Sequence, residues 1–401
     1  MALTNTKHAD SPPSATTLAA RRGEIRALTG LRLFAAAWVV AFHFQFTPGV
    51  WLSNALTYVR PVIGPGSLGV DLFYVLSGFV IALTYLERLG PRLSLRSASA
   101  FLWARVSRIW PVFVVLTNLF GVFLLAKYLW GASGHLTFQT VQPELTPGLW
   151  LLQMLMVQLW TQPYIDGSSW IGPAWSISAE WLAYVLFPVT ALLYFRMAKF
   201  PKWLLGLLAV VIMLPMALLT GKPYFPYSWL LRIGAGFTSG VLVYLTVRHV
   251  RLTERLLKGA ATLAAAMLAM IFVGLLLDGG MGDGSQVGIV LLLFPILVGA
   301  LALSPGCGVA RLLSSEWTVQ GGRISYSLYL VHMAVFEVVW TAMLHCRATI
   351  GVDTPQSIVL ALVGLVAAFV AAHLLWRYVE EPARAWSRRL TSSSPDSRGR
   401  S

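Results

Sequence analysis

Long apolar stretches separated by short polar loops dominate the chain. About 20 apolar residues are needed for one helical crossing of a bilayer, and these stretches lack the alternation of membrane β-strands. On that basis the sequence predicts ten spans, at residues 31–48, 67–86, 106–130, 174–195, 203–220, 229–247, 259–278, 287–304, 324–344 and 357–376. We therefore expect an all-α, polytopic integral membrane bundle.

Three segments fall outside the predicted spans for different reasons. Residues 150–160 are apolar but short and contain Gln153 and Gln158, which is more typical of a re-entrant or interfacial segment. Residues 1–27 are polar, without the pattern of a signal peptide, and residues 387–401 are rich in Ser and Arg. We expect both ends to be disordered tails around a transmembrane domain at 28–386.

The distribution of basic residues supports this count and predicts the orientation. Lys and Arg are enriched in cytoplasmic loops of membrane proteins. With a cytoplasmic N-terminus, all but five of the 30 Lys and Arg residues lie in inner segments or the adjoining span ends. The exceptions are Arg60, Lys127, Lys222, Arg232 and Arg347. A span at 150–160 would invert the later loops, so we expect both termini in the cytoplasm.

Composition excludes several classes of protein. Charged residues make up 11% of the chain and hydrophobic residues 57%, whereas soluble domains carry about 25% charged residues. The net charge of +14 lies in short loops, so the expected partner is the lipid bilayer and not nucleic acid. Cys307 and Cys346 form no ligand or disulfide pattern. Without an HExxH pair, we expect no metal and no bound cofactor, and the absence of a GxSxG motif disfavours a covalent serine intermediate.

Ionisable residues inside the predicted spans are the first candidates for chemistry, because a charge at membrane depth is costly. Arg32 and His43 share the first span, nearly on one helix face and about 16 Å apart along its axis. Asp71 and Glu180 lie near the outer ends of their spans, at a depth similar to His43. A histidine beside a carboxylate suits a general base that takes the proton of a hydroxyl group.

Arginines at the inner ends of the spans suggest a second function, the binding of a phosphorylated donor. Arg32, Arg105 and Arg108 lie at inner membrane boundaries, where a guanidinium can bind phosphate in a bidentate manner.

Each candidate also has a structural alternative. In that alternative, the arginines would be ordinary topology anchors and His43 would be a hydrogen-bonded packing residue. Asp71 and Glu180 would pair with Lys127 or Arg232, and His332 and His373 would pack between helices.

Six segments follow one another in an order that resembles a known family. They are LTGLRLFAAAWVVAFHF (28–44), GSLGVDLFYVLSGFVIA (66–82), ARVSRIWPVF (104–113), AWSISAEWLAYVLFP (174–188), GRISYSLYLVH (322–332) and VEEPARAW (379–386). Together they resemble the acyltransferase-3 family of integral membrane O-acyltransferases over nearly the whole chain.

This resemblance implies an enzyme of the bacterial inner (plasma) membrane. It implies transfer of an acyl group from cytoplasmic acyl-CoA, either acetyl-CoA or another short acyl-CoA, to a hydroxyl of a carbohydrate-containing acceptor. An envelope glycan, a glycolipid or a secreted glycoside such as a macrolide would all fit.

The resemblance also implies roles for individual residues. His43 and Arg32 would be essential, and Arg105 and Arg108 would bind the donor. From their depth and chemistry, and not from the resemblance, we expect Asp71 or Glu180 to orient the His43 imidazole. We also expect Trp175, Ser178, Tyr184 and His332 at the acceptor or behind the catalytic groups. Tyr184 shares a helix face with Glu180, whereas Ser178 is rotated from it by about 200°.

Two departures from the family pattern matter. Trp181 stands where the family often has a second acid after Glu180. Some members carry a C-terminal hydrolase-like domain, whereas this chain ends soon after Pro382. We therefore expect transfer to be completed by the membrane domain or with a separate extracytoplasmic partner protein. The alternative from another class is a multi-span transporter of a small glycoside or lipid.

Overall fold

A computed structural model describes residues 23–130, 135–220, 225–277, 287–345 and 351–392, together with Thr17. Within these residues the chain forms helices and turns without a β-sheet. The helices are α1 (Arg26–Phe44), α2 (Val50–Leu56), α3 (Arg60–Ile63), α4 (Leu68–Leu89), α5 (Leu95–Leu129), α6 (Pro147–Met154), α7 (Ala174–Met197), α8 (Lys202–Val211), α9 (Leu214–Leu219), α10 (Ser228–Val247), α11 (Glu254–Leu277), α12 (Gly288–Leu303), α13 (Gly308–Leu313), α14 (Glu316–His345), α15 (Pro355–Leu375) and α16 (Glu381–Ser392). A 3₁₀ turn, Gly64–Ser67, precedes α4, and a π-helical turn, Trp376–Glu380, joins α15 to α16.

The predicted polytopic helical bundle is confirmed. Among the described residues, nine helical segments are long and apolar enough to cross a membrane. The predicted span at 287–304 corresponds to α12, an apolar helix of 16 residues. The predicted span at 203–220 is divided between α8 and α9.

The short apolar segment at 150–160 does not form a spanning helix. Helix α6 has eight residues, too few to cross a bilayer, and the chain turns at Met156, which has a φ of 58°. Both glutamines of the segment are buried. The Gln153 side-chain oxygen Oε1 accepts the backbone N–H of Trp170, and the Gln158 side-chain amide donates to the backbone carbonyl of Ala174. The segment is therefore packed against the start of α7.

Several helices extend beyond the predicted spans, because their added turns are polar and a search for apolar residues does not detect them. Helix α5 begins at Leu95, where the Ser94 hydroxyl accepts the Ser97 N–H, so Arg105 and Arg108 lie within a helix. At the other end of the chain, α16 overlaps the predicted tail as far as Ser392. Glu381 stabilises this helix through ion pairs with Arg384 and Arg388. The rest of that predicted tail lies outside the described residues, as does nearly all of the N-terminal one.

Helices α1, α4, α10, α12 and α14 form the interior of the bundle, with α1 packed on α14 and α4 on α10. Glycines allow both contacts. A Cβ atom at Gly322 would lie 1.8 Å from the Thr29 carbonyl oxygen, and one at Gly240 would lie 2.0 Å from that of Val75. Small residues commonly permit such close backbone contact between membrane helices. The two helix pairs therefore depend on glycine at these positions.

A buried ion pair also joins α4 to α10. Arg232 donates from Nε to Asp71 Oδ1 at 3.0 Å and from Nη2 to Asp71 Oδ2 at 2.7 Å. Both side chains are almost fully buried. The guanidinium also lies 5.2 Å from the centre of the Trp175 ring, which adds a cation–π contact from α7.

The glycine contact between α4 and α10 predicts opposite effects for two alanine substitutions on α10. Gly240→Ala would force the methyl group into the α4 backbone, and overpacking of this kind costs about 1–3 kcal/mol. Gly234→Ala is the matched control, because a Cβ there meets no atom within 4 Å and alanine favours a helix by roughly 0.5–1 kcal/mol. Thermal unfolding in detergent should show a lower midpoint for Gly240→Ala only, and equal midpoints would contradict the close contact.

The buried ion pair predicts that Asp71→Ala is strongly destabilising. It leaves Arg232 buried without its carboxylate, at a cost of about 3–5 kcal/mol. The double variant Asp71→Leu, Arg232→Met should recover much of the lost stability, because two apolar side chains leave no unpaired charge. Glu316→Ala removes an exposed pair with Arg26 and should change stability by less than about 1 kcal/mol. Asp71→Ala protein with wild-type stability and no activity would instead support a catalytic role.

Candidate active site

His43 lies at the C-terminal end of α1, against His332 of α14. His332 Nε2 lies 3.1 Å from His43 Nδ1, and both imidazoles are buried. Each ring also approaches a carbonyl of its own helix: His43 Nδ1 lies 3.0 Å from the Val39 oxygen, and His332 Nδ1 lies 3.0 Å from the Leu328 oxygen. The close packing of α1 on α14 therefore brings together two histidines that are far apart in sequence.

These contacts determine which nitrogen carries the proton in each neutral ring. A carbonyl oxygen only accepts hydrogen bonds, so His332 Nδ1 is the donor to Leu328 and His332 Nε2 is an acceptor. His43 Nδ1 then faces two acceptors, the Val39 oxygen and His332 Nε2, and must carry the proton. His43 Nε2 is left unprotonated, which is the form a general base requires. No hydrogen bond to this nitrogen is found in the part of the chain that the structure describes.

Neither predicted carboxylate orients His43. Asp71 is bound by Arg232, one of the two pairings considered for it from the sequence. Glu180 Oε1 accepts the Tyr184 hydroxyl at 2.5 Å, and that hydroxyl also lies 2.9 Å from Ser77 Oγ. Among the described residues, the side chain within hydrogen-bond distance of the His43 imidazole is His332 of α14.

Two adjoining cavities lie beside the predicted donor residues. Both are lined by Arg32, Ser77, Glu180 and Tyr326. The smaller, of about 20 Å³, also reaches Arg105 and Arg108. The larger, of about 50 Å³, extends to Ser176 and Tyr329. Tyr329 is also the neighbour of His332, with ring centres 6.1 Å apart, whereas neither histidine lines either cavity.

The arginines of these cavities have hydrogen-bonding capacity that the described residues do not use. Arg32 Nε and Arg105 Nε are buried without a hydrogen-bond partner. Arg105 donates from Nη2 to the Tyr85 hydroxyl at 3.0 Å, and Arg32 lies 5.9 Å from the centre of the Phe73 ring. Within the described ranges, no carboxylate lies within ion-pair distance of Arg32, Arg105 or Arg108. A bound anion would satisfy these groups.

Two other predicted site residues, Ser178 and Trp175, do not line the cavities. Ser178 points away from the cavities: its hydroxyl accepts the Leu159 N–H at 3.3 Å, and its carbonyl accepts the Trp160 indole N–H. Trp175 stacks on Arg232. The serine of this helix that lines the cavity is Ser176, which lies 2.7 Å from the Tyr329 hydroxyl.

Sequence analysis missed two buried glutamates. Glu380 accepts the Ser327 hydroxyl at 2.9 Å and lies 3.9 Å from Arg384. It belongs to the π-helical turn, and such turns are frequent at functional sites. Glu337 lies in the predicted span at 324–344 and is almost fully buried. An ionisable residue inside a span was the signal used for His43, and it applies equally to Glu337. No group of three or more potential metal ligands occurs in the described segments.

Comparison with known proteins supports an acyltransferase. The chain is 27% identical over 398 residues to acyltransferase MdmB of Streptomyces mycarofaciens, covering 92% of this chain and 94% of that protein. It is 23% identical over 397 residues to the peptidoglycan O-acetyltransferase OatA of Listeria monocytogenes, covering 90% of this chain and 56% of that protein. No solved structure matches the chain significantly.

The match to a family extends over most of the chain. The model of the acyltransferase-3 family, described as an acyltransferase domain, matches residues 25–377. This range contains α1 through α15, and with them the histidine pair and both cavities. The chain belongs to the acyltransferase-3 family and is a multi-span membrane acyltransferase.

Proposed function

We propose that the protein transfers an acyl group from acyl-CoA to a hydroxyl of a carbohydrate-containing acceptor. One observation carries this proposal: His43 has an unprotonated Nε2 without a hydrogen bond, and Arg32 on the same helix lines two buried cavities, one of which also reaches Arg105 and Arg108. Transfer of an acyl group directly from a phosphorylated thioester to an alcohol requires two things. One is a base for the alcohol, and the other is a site for the phosphate anion. The name of OatA, a peptidoglycan O-acetyltransferase, is consistent with a glycan acceptor.

In the proposed reaction His43 activates the acceptor. The acceptor hydroxyl gives its proton to His43 Nε2 while its oxygen attacks the thioester carbonyl carbon. The carbon–sulfur bond then breaks, and the departing thiolate takes the proton from His43. In between, the imidazolium donates from Nδ1 to His332 Nε2, a charge-assisted hydrogen bond that stabilises the protonated base. No covalent acyl-enzyme is required.

The donor would enter from the end of the bundle that holds Arg105 and Arg108. This end is also where α1 begins and where most basic residues of the loops lie. Acyl-CoA is a cytoplasmic metabolite, so we assign this end to the cytoplasm, with the plasma membrane as the location. Arg32, about 16 Å below His43 along α1, would contact the part of the donor between its phosphates and its thioester.

The proposed activity predicts that purified protein in lipid nanodiscs releases CoA from acetyl-CoA when an acceptor is present. We would measure free thiol with peptidoglycan fragments, glycolipids and glycosides as separate acceptors, and identify products by the added mass of one acyl group. His43→Ala should lower kcat by about 100-fold or more, since a general base contributes 10²–10⁴-fold.

The matched control for this experiment is His373→Ala. His373 is a histidine of the spanning helix α15 whose contact is with Trp376, and its loss should leave turnover unchanged. A folded His43→Ala protein with near-normal turnover would remove the proposed base. Failure of every acceptor with the wild-type protein would contradict the proposed reaction.

His332 should act through the protonation state of His43. His332→Leu removes the acceptor for His43 Nδ1–H, and loss of such a supporting hydrogen bond lowers activity by roughly 10–100-fold. His332→Gln retains a carbonyl acceptor and should restore part of kcat. The KM for acetyl-CoA should stay near the wild-type value in both variants.

The pH dependence of kcat provides a readout that a purely structural effect would not change. His332→Leu should shift the profile, because the protonated form of His43 loses the group that accepts its Nδ1–H. Equal activity of the Leu and Gln variants with an unchanged pH profile would show that His332 does not set the state of the base.

A further inference from the structure

A loop at the surface of the bundle, residues 135–146, lies against His43. Phe138 follows the third span, and its ring centre lies 4.9 Å from that of His43 in an edge-to-face contact. It also lies 5.2 Å from the ring centre of Phe46. The neighbouring Thr137 is exposed, whereas the exposed fraction of His43 is only 7%. Phe138 therefore separates His43 from the surrounding solvent at the end of the bundle opposite the arginines.

The loop is held in place by Glu337, a residue that neither the cavities nor the proposed reaction uses. Glu337 Oε2 accepts the backbone N–H of Thr137 at 3.0 Å, and Oε1 accepts that of Phe138 at 2.9 Å. The carboxylate is 2% exposed. Both of its oxygens are thus committed to the two peptide groups that position the Phe138 side chain. Hydrogen bonds of this charge-assisted kind are about twice as strong as neutral ones.

The position of Glu337 links this cover to the catalytic histidines. Glu337 and His332 both lie on α14, five residues apart. The helix that carries the hydrogen-bond acceptor for His43 Nδ1 therefore also anchors the aromatic ring above His43. The Lys127 ammonium donates to the carbonyl of His135 at the start of the same loop. Its positive charge also attracts the Glu337 carboxylate.

Other contacts attach the loop independently of Glu337. The Gln139 amide donates to the Ser169 carbonyl at 2.9 Å, and Val141 N–H donates to Asp166 Oδ2 at 2.9 Å. These bonds tie the loop to the segment before α7. Loss of the Glu337 carboxylate should therefore release Phe138 without detaching the whole loop.

We infer that Glu337 is a positioning residue that holds Phe138 over His43 and so keeps water from the base when no acceptor is bound. The inference rests on the proposed function. Water that reached His43 would give a proton to Nε2 while its oxygen attacked the thioester carbonyl. The carbon–sulfur bond would break, the thiolate would take the proton from His43, and the products would be a free carboxylic acid and CoA. Closure by Phe138 limits this wasteful hydrolysis of the donor.

The first test measures access to His43 and does not require a substrate. Diethylpyrocarbonate acylates unprotonated imidazole nitrogens, and peptide mass spectrometry gives the rate at each histidine of the full-length protein in nanodiscs. Glu337→Gln replaces one accepting oxygen by an amide that cannot accept, and Phe138→Ala removes the ring. Glu337→Gln should raise the rate at His43 by about tenfold, the factor expected for loss of one hydrogen bond to a charged group. Phe138→Ala should raise it at least as much, because it removes the ring itself. The rate at the exposed His345 is the internal reference.

The matched controls lie on the same helix and on a lipid-facing helix. Glu316→Gln changes an exposed glutamate at the start of α14, and Phe272→Ala removes an exposed aromatic of α11. Neither should alter the rate at His43.

The second test measures the ratio of acetyl-CoA hydrolysis to transfer. Hydrolysis without acceptor should rise about tenfold in Glu337→Gln and in Phe138→Ala, in line with the increased access to the base. The KM for acetyl-CoA should not change, because both residues lie away from the arginine cavities. A merely structural defect would lower hydrolysis and transfer together and leave their ratio unchanged.

The outcomes separate this inference from the proposed function. If folded Glu337→Gln and Phe138→Ala proteins react at His43 as slowly as the wild type, the closure does not exist. If Glu337→Gln fails to fold, Phe138→Ala decides, since it leaves the bonds of Glu337 to the backbone in place. If the wild type never releases CoA, the proposed reaction is overturned, while the diethylpyrocarbonate rates still decide whether Phe138 covers His43.

Discussion

The hydrogen bond between His43 and His332 depends on how closely α1 packs against α14. A Cβ at Gly322 of α14 would lie 1.8 Å from the Thr29 carbonyl oxygen of α1, and one at Gly321 would lie 2.6 Å from the Leu33 side chain. Any larger side chain would separate the helices and lengthen the 3.1 Å contact between the imidazoles. Geometry at an active site must hold to within about half an ångström. The contact between the two imidazoles therefore depends on glycines that do not touch them.

Charges inside the bundle fall into two groups that differ in how far the protein satisfies them. Asp71 and Arg232 neutralise one another through two hydrogen bonds and hold α4 against α10. Arg32 and Arg105 retain buried nitrogens without partners beside small cavities. A buried polar group left unpaired is costly, so an unliganded arginine of this kind is a feature that stability alone would not favour. This contrast separates the structural pair from the candidate anion site.

Sequence reasoning succeeded where one residue or one helix carried the signal. The apolar stretches predicted the helical bundle, and the shared face of Glu180 and Tyr184 on α7 predicted a contact that is present at 2.5 Å. It was less successful at helix ends, because the first turns of α5 and α14 are polar. It also expected a carboxylate to orient His43, and it missed Glu337. The sequence around a residue does not show which residue of another segment will contact it.

The sequence by itself determined the membrane class, the family and the residue types available for chemistry, because hydropathy, charge distribution and motif order are properties of the chain. Only the tertiary structure decided which of those residues meet. Helix packing brought His332 to His43 and paired Asp71 with Arg232, and the loop after α5 placed Phe138 against His43. The physical reason is that a helical period of 3.6 residues determines which residues share a face, whereas close packing between helices determines which faces touch.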